Sequence, residues 1–300
     1  MGFKSFVQLF VPPIYYKVKR ALKPRRLVNA NPLPMHEKVG KRLIVVGNGP
    51  SLNKTMNLYA DEICNTECMM VNYSASYPLY EVIRPSVYVL TDRGWYTDPR
   101  TSVSVNKLIN SLKDKTTWNL TLVLPGYFND WWALEELRKN KNITIWFDYG
   151  RWLELPEEET FRYFDSNVLT PPSNTVLTYC LYLALYWGYE ETYIVGADTS
   201  FSISAYVGQK DNVVYTVDPH FYENNDVQKP ETIDPEKLGR PYGMNMEQYM
   251  HMCYMHFYEY GLLARYAKWK GLKVYNASEF SMIDCFERKK IKIRYEFDSF

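Results

Sequence analysis

The sequence is short of several things. No uncharged apolar run reaches the roughly 18–20 residues that would span a bilayer. Cysteine is sparse and odd in number, five in 300 residues, which excludes a disulfide framework and suits reduced thiols in a cytoplasmic chain. Net charge is nearly absent, at +1, which argues against a dedicated nucleic-acid binder. What is present belongs to a folded protein: 46% hydrophobic, 16% aromatic and 23% charged residues, enough apolar surface for a sizeable core.

The small total hides an asymmetry. Lys4, Lys17, Lys19, Arg20, Lys23, Arg25 and Arg26 precede any acid, and Phe3, Phe6, Phe10, Tyr15 and Tyr16 lie among them. The charge follows the apolar stretch and no small-residue cleavage site appears, so this is no secretory signal. A basic, aromatic arm suits contact with an anionic inner leaflet through residues 1–26, each cation contributing on the order of 1 kcal/mol. The alternative is an arm packed on its own domain or on a second copy, and Pro12-Pro13 interrupts any single amphipathic helix. Residues 27–41, with Pro32 and Pro34, read as a linker in which His36 has no evident partner.

From residue 42 the pattern is α/β. Arg42–Val46 is a short β-branched run closing on Gly47-Asn48-Gly49-Pro50-Ser51-Leu52, the form of a buried strand entering a glycine-rich turn and a helix. Further strands are expected at 68–71, 87–90, 120–124, 143–147, 192–195 and 272–275, with helices at 105–112, 132–139, 175–187 and 246–270. Short apolar strands alternating with helices predict a mostly parallel sheet with helices on both faces. Residues from about 199 to 245 lack a sustained period, carry several Gly, Asn and Pro, and read as a lid insertion.

Ligands of open parallel sheets bind outside the carboxyl ends of the strands. Gly47 and Gly49 permit close backbone approach, Pro50-Ser51 starts a helix whose N–H groups would favour an anion, and Asn48 adds an amide. Asn72, Thr91-Asp92 and Gly196-Ala197-Asp198 end three further strands on the same edge. An Asp at position 198 would hold a ribose hydroxyl, orient a base, bind a metal, or simply cap a helix. Tyr206, Tyr222 and Tyr242 around the lid suit a polar ring-shaped ligand. His220, in Val217-Asp218-Pro219-His220-Phe221-Tyr222, is the first candidate for a general base, because histidine titrates near neutrality. His251 and His256 on the long helix are the alternatives. Cys64 and Cys68 have no histidine or second cysteine pair nearby to complete a zinc site. Asp-x-Asp, a metal-diphosphate motif, does not occur, so metal-independent chemistry without a further cofactor is expected.

With these residues in hand the chain resembles the bacterial sialyltransferases of glycosyltransferase family 42. The resemblance is carried by Val46-Gly47-Asn48-Gly49-Pro50-Ser51-Leu52, Asn72, Pro172-Ser173-Asn174-Thr175 and Gly196-Ala197-Asp198. It is also similar to the archaeal 6-hydroxymethylpterin diphosphokinase-like proteins, which share Gly-Asn-Gly-Pro-Ser and often end as in Gly271-Leu272-Lys273-Val274-Tyr275-Asn276-Ala277-Ser278. The match covers about residues 42–288. It implies a Rossmann-like catalytic domain over 42–288, after an arm and linker over 1–41 and before a tail over 289–300. It further implies a CMP-activated acidic sugar as donor, bound near Asn48, Ser51 and Asn72, with Ser173, Asn174, Gly196 and Asp198 on the phosphate and ribose side. A lid-side histidine would deprotonate a glycan or lipid-linked acceptor. The second resemblance implies instead a magnesium-dependent diphosphotransferase, and a non-catalytic membrane-associated assembly protein is the third reading.

Overall fold

In the computed structural model, the described residues from Asn31 onward form one compact unit. The structure describes residues 29–97, 102–216, 220–221, 240–241 and 243–291. The basic arm at 1–26, Asp218, Tyr222, Tyr242 and the tail beyond residue 291 lie outside them.

The expected strands form. β1 (Arg42–Val46), β2 (Cys68–Val71), β3 (Val87–Val89), β4 (Leu120–Pro125), β5 (Ile143–Asp148) and β6 (Glu191–Val195) join β10 (Lys273–Asn276) and β11 (Glu287–Arg288) in one sheet. Its order is β11-β10-β6-β1-β2-β3-β4-β5, and every pairing is parallel. Leu43, Ile44, Val45 and Val46 are all fully buried although they alternate between faces, so both faces of β1 are covered. This explains why β1 reads as an unbroken apolar run. β11, at the very end of the expected domain, pairs with β10 with Tyr275 opposite Glu287.

Helices α1 (Ser51–Cys64), α2 (Leu79–Ile83), α3 (Arg93–Thr97), α4 (Val103–Lys115), α5 (Ala133–Leu137), α6 (Glu157–Asp165), α7 (Val176–Tyr186) and α8 (Met246–Lys270) connect and cover the strands. α7 is apolar on all sides, and every residue from Thr178 to Tyr186 is buried, as a central helix requires. α8 has the expected boundaries. Asn245 and Gln248 close a reciprocal capping box at its start, and Gly271 stops it in the left-handed conformation at φ +71°.

Two expectations are corrected. The segment 31–41 is a strap packed on the domain rather than a free linker. Leu33 is buried, its N–H donates to Asn167 Oδ1 (2.6 Å), and its carbonyl accepts from Tyr186 Oη (2.8 Å). His36 has partners, Glu67 at 2.9 Å and the Trp187 ring at 5.1 Å. The insertion, in turn, carries structure of its own. β7 (Tyr206–Val207), β8 (Val214–Thr216) and β9 (Arg240–Pro241) form a small antiparallel sheet. Among the described residues no helix is long and apolar enough to cross a membrane.

From β1 the chain steps outward through β2 to β5, and β6 then returns to the opposite side of β1. The order of the strands therefore reverses between β1 and β6, and the crevice at their carboxyl ends is the switch point where doubly wound sheets bind ligands.

Candidate functional site

The loops after β1 and β6 meet backbone to backbone. Gly47 N–H donates to Val195 O and Gly49 N–H to Gly196 O, both at 2.8 Å. A Cβ on Gly47 would come within 2.5 Å of Gly196 O, and one on Gly196, at φ +61°, within 2.7 Å of Gly47 O. Neither position accepts a side chain.

Asp198, buried and held at the far side of this contact, accepts from Ser51 N–H (2.8 Å) and from the Ser51 hydroxyl. Leu52 N–H and Asn53 N–H are taken by Gly49 O and Pro50 O. The first turn of α1 therefore offers no exposed donors to an anion, contrary to the sequence expectation. The chain's own carboxylate already fills the place where the helix dipole favours negative charge. Of the roles open to Asp198, the structure displays helix capping.

Two adjoining cavities open on this edge. The smaller, about 190 Å³, lies at the switch point and is lined by Asn48, Gly49, Gly196, Asp198, His220 and Tyr260, among others. The larger, about 870 Å³, runs over the carboxyl ends of β3, β4 and β5 and includes Thr91, Asp92 and Ser173. Asn72, Thr175, Val176, Phe201 and His256 line both. Asn174 borders the larger. Gly47 and Ser51 lie beneath the surface and line neither cavity. Tyr206 stacks on Tyr215 in the small sheet (5.3 Å), and His251 is exposed on α8 beside Tyr254.

His220 owes its place to its neighbour. Phe221 N–H donates to Asn48 O and Asn53 Nδ2 donates to Phe221 O, both at 2.8 Å. The Phe221 ring is buried against Tyr77. These contacts fasten the lid residue to the Gly47-Asn48-Gly49 turn. Asn48 itself is fixed, with its amide oxygen 2.6 Å from Ser74 Oγ.

The seam between the cavities concentrates uncommon features. Asn72, Ser173 and Thr199 adopt positive φ (+53°, +59° and +53°), a conformation costing roughly 1–3 kcal/mol for a non-glycine residue and concentrated at functional sites. Asn72 Oδ1 and His256 Nδ1 are buried without a hydrogen-bond partner. His256 Nε2 is 3.0 Å from Asn174 O, and because a carbonyl only accepts, this nitrogen carries the proton. Burial lowers the pKa of His256, so the ring is neutral.

One turn further along α8, Glu259 is completely buried. Its carboxylate accepts from Asn174 N–H (3.2 Å), the Asn174 amide and Thr178 Oγ1 (2.7 Å). Glu259 and His256 thus clamp the Ser173–Thr175 turn from one helix face. Burial pushes Glu259 up to about 7 from an ordinary 4.5. The folded protein consequently keeps this proton between pH 4.5 and 7 while the unfolded chain has lost it, so this group lowers stability as pH rises through that window. The loss is roughly 3 kcal/mol at most. His256 works in the opposite sense, so the comparison with Glu259→Gln isolates the carboxyl. Urea unfolding at pH 5 and pH 8 should show a smaller decline in the variant, and an equal decline in both proteins would contradict the assignment.

Sequence reasoning missed the floor of the larger cavity: Tyr127, Asp148, Tyr149, Arg151 and Trp152. The signal was available, because these residues follow β4 and β5 just as Asn72 and Thr91 follow β2 and β3. Among the described residues no group of three or more His, Cys, Asp or Glu side chains is arranged to hold a metal.

Fold and crevice together define a doubly wound, Rossmann-like α/β protein with a polar site at its switch point. No family model matches the chain, and no curated protein matches it. Among solved structures it is similar to that of the MAf glycosyltransferase from Magnetospirillum magneticum AMB-1. Identity is 11% and the TM-score 0.48, over 86% of this chain and 35% of that one. The chain spans about a third of that protein's length, and no residue role follows from the likeness.

Proposed function

We propose that the protein is an inverting glycosyltransferase of bacterial surface-glycan synthesis, using a CMP-activated, sialic-acid-like keto-sugar acid without a metal ion. The reading is carried by one observation: a lid histidine, His220, is fastened over the glycine turn at the switch point of a parallel sheet. In this mechanism the acceptor oxygen attacks the anomeric carbon and its proton passes to His220. The bond from that carbon to the CMP phosphate breaks, and its electron pair leaves with the phosphate oxygen. The phosphate is already esterified to the sugar, and hydrogen bonds from the crevice stabilise the charge it gains. Gly49 and Gly196 let the two turns close on each other beneath the crevice, and Asn72, whose buried amide oxygen has no hydrogen-bond partner, meets the nucleotide. Asp198 acts through Ser51, by shaping the turn. The polybasic arm brings the enzyme to an anionic leaflet, where a lipid-linked acceptor would lie.

A thermal-shift series with CMP, CDP, UDP, GDP and ATP, each with and without EDTA, tests this reading. A ligand at a hundred times its Kd contributes about 2.7 kcal/mol to the native state. CMP should raise the melting temperature by several degrees regardless of EDTA. A shift confined to ATP with magnesium would favour the diphosphotransferase instead, and no shift with any nucleotide would favour a non-catalytic assembly protein.

A further inference from the structure

The larger cavity contains more recognition chemistry than proton transfer at His220 requires. Four charged residues face it: Asp92, Arg93, Asp148 and Arg151. Asp92 accepts from Gly94 N–H at 2.7 Å. Asp148 is buried and accepts from Tyr179 Oη, Gly150 N–H (2.8 Å) and Asn167 Nδ2 (3.1 Å), and burial raises its pKa. Arg93 lies over the Tyr127 ring at 5.3 Å. Arg151 alone is unspent. Its backbone carbonyl accepts from Thr170 N–H (3.1 Å), but its exposed guanidinium has no partner among the described residues.

Tyr149, two residues earlier in the chain, lines the same cavity and is 45% exposed. Its ring lies over Gly126 so closely that a Cβ there would come within 2.4 Å. A half-exposed aromatic ring and an unpaired guanidinium lining one cavity are suited to an apolar ring surface bearing an acid. Arginine is the side chain that matches a carboxylate with two parallel hydrogen bonds.

We infer that the larger cavity is a saccharide subsite in which Arg151 pairs with the carboxylate of an acidic sugar lying over Tyr149. This rests on the glycosyl-transfer reading and assigns the residue that would hold the acid of its substrate. The acid has two sources, the sugar of the donor or an acidic acceptor glycan.

Calorimetric titrations of the full chain in EDTA distinguish them, with wild type, Arg151→Gln and Arg151→Lys. The ligands are CMP, CMP-N-acetylneuraminic acid, and 3′-sialyllactose against lactose, the last two with and without saturating CMP. CMP affinity should be the same in all three proteins. Arg151→Gln should weaken one acidic ligand by roughly 10–100-fold, with Arg151→Lys between. Loss on the CMP-sugar assigns the donor, and loss on sialyllactose assigns the acceptor. The inference is overturned if wild type does not prefer the acidic ligands, or if Arg151→Gln binds both within twofold of wild type. Should CMP itself not bind, the nucleotide reading fails, while the sialyllactose arm without nucleotide still decides Arg151. The exposed guanidinium has no hydrogen-bond or ion-pair partner among the described residues, so neither substitution should disturb folding.

Discussion

Replacing His220 by alanine should lower turnover by about 10²-fold or more while leaving CMP affinity nearly intact. The loop keeps anchors that the imidazole does not supply, because Phe221 is buried and its backbone atoms make hydrogen bonds to Asn48 and Asn53. A general base must come within about 3 Å of the proton it removes. His220 and His256 both line the smaller cavity, and they differ in how their ring nitrogens are committed. His251 is exposed elsewhere on α8, and His256 has its proton committed to Asn174 O. His256→Ala should loosen the Ser173–Thr175 turn and raise KM, leaving the acidic limb of the pH–rate profile in place. In His220→Ala that limb should disappear. Unchanged turnover in His220→Ala would remove this residue from the mechanism. If the limb vanished in His256→Ala instead, the base would be His256.

Gly47→Ala should destabilise the fold by about 3 kcal/mol and abolish nucleotide binding. The new methyl would sit 2.5 Å from Gly196 O, 3.0 Å from Gly196 C and 3.1 Å from Leu177 Cδ1. The first two are backbone atoms and cannot rotate away. Nor can the two turns separate freely, since Gly47 N–H and Gly49 N–H hold the β6 side at 2.8 Å. For a chain of this size the loss corresponds to a midpoint lower by roughly 5–10 °C. Gly40→Ala is the control, having no heavy atom within 4 Å of its Cβ and no positive φ. Melting curves for the two variants settle the matter, and a Gly47→Ala midpoint within a degree of wild type would show that the turns are not locked together.

Much of the architecture was legible in the residues. Buried parallel strands announce themselves as unbroken apolar runs, so β1 through β6 and β10 were found within a residue or two. α8 was bounded by its cap residue and its terminal glycine. What escaped was set by tertiary contact. The 31–41 strap has no periodicity and is held by single anchors, Leu33 and His36, whose pockets belong to distant segments. β11 is two residues long, and the small lid sheet is built from pairs and triplets, too short for any alternation to register.

The site divides in the same way. The glycine turn, Asn72 and His220 were visible because strand-end chemistry and turn composition are local. That Asp198 would be spent on Ser51 could not be read, because it depends on two loops 147 residues apart in sequence. Nor could the Glu259 clamp, since a glutamate on a tyrosine-rich helix looks like a solvated residue until α7 is placed against it. Arg151 and Tyr149 belong to a different class. They follow β5, so the rule that ligands bind outside the carboxyl ends of parallel strands points to them as it does to the residues after β1, β2, β3 and β6.

The central claim is that a cytidine monophosphate leaving group sits in the crevice between the loops after β1 and β6, beneath His220. A crystal structure of the protein soaked with CMP in the presence of EDTA tests it most directly. The expected result is phosphate density bordered by Gly49, Asn72 and His220, with no cation beside it. Nucleotide bound elsewhere, or bound there only through a metal ion, would contradict the account.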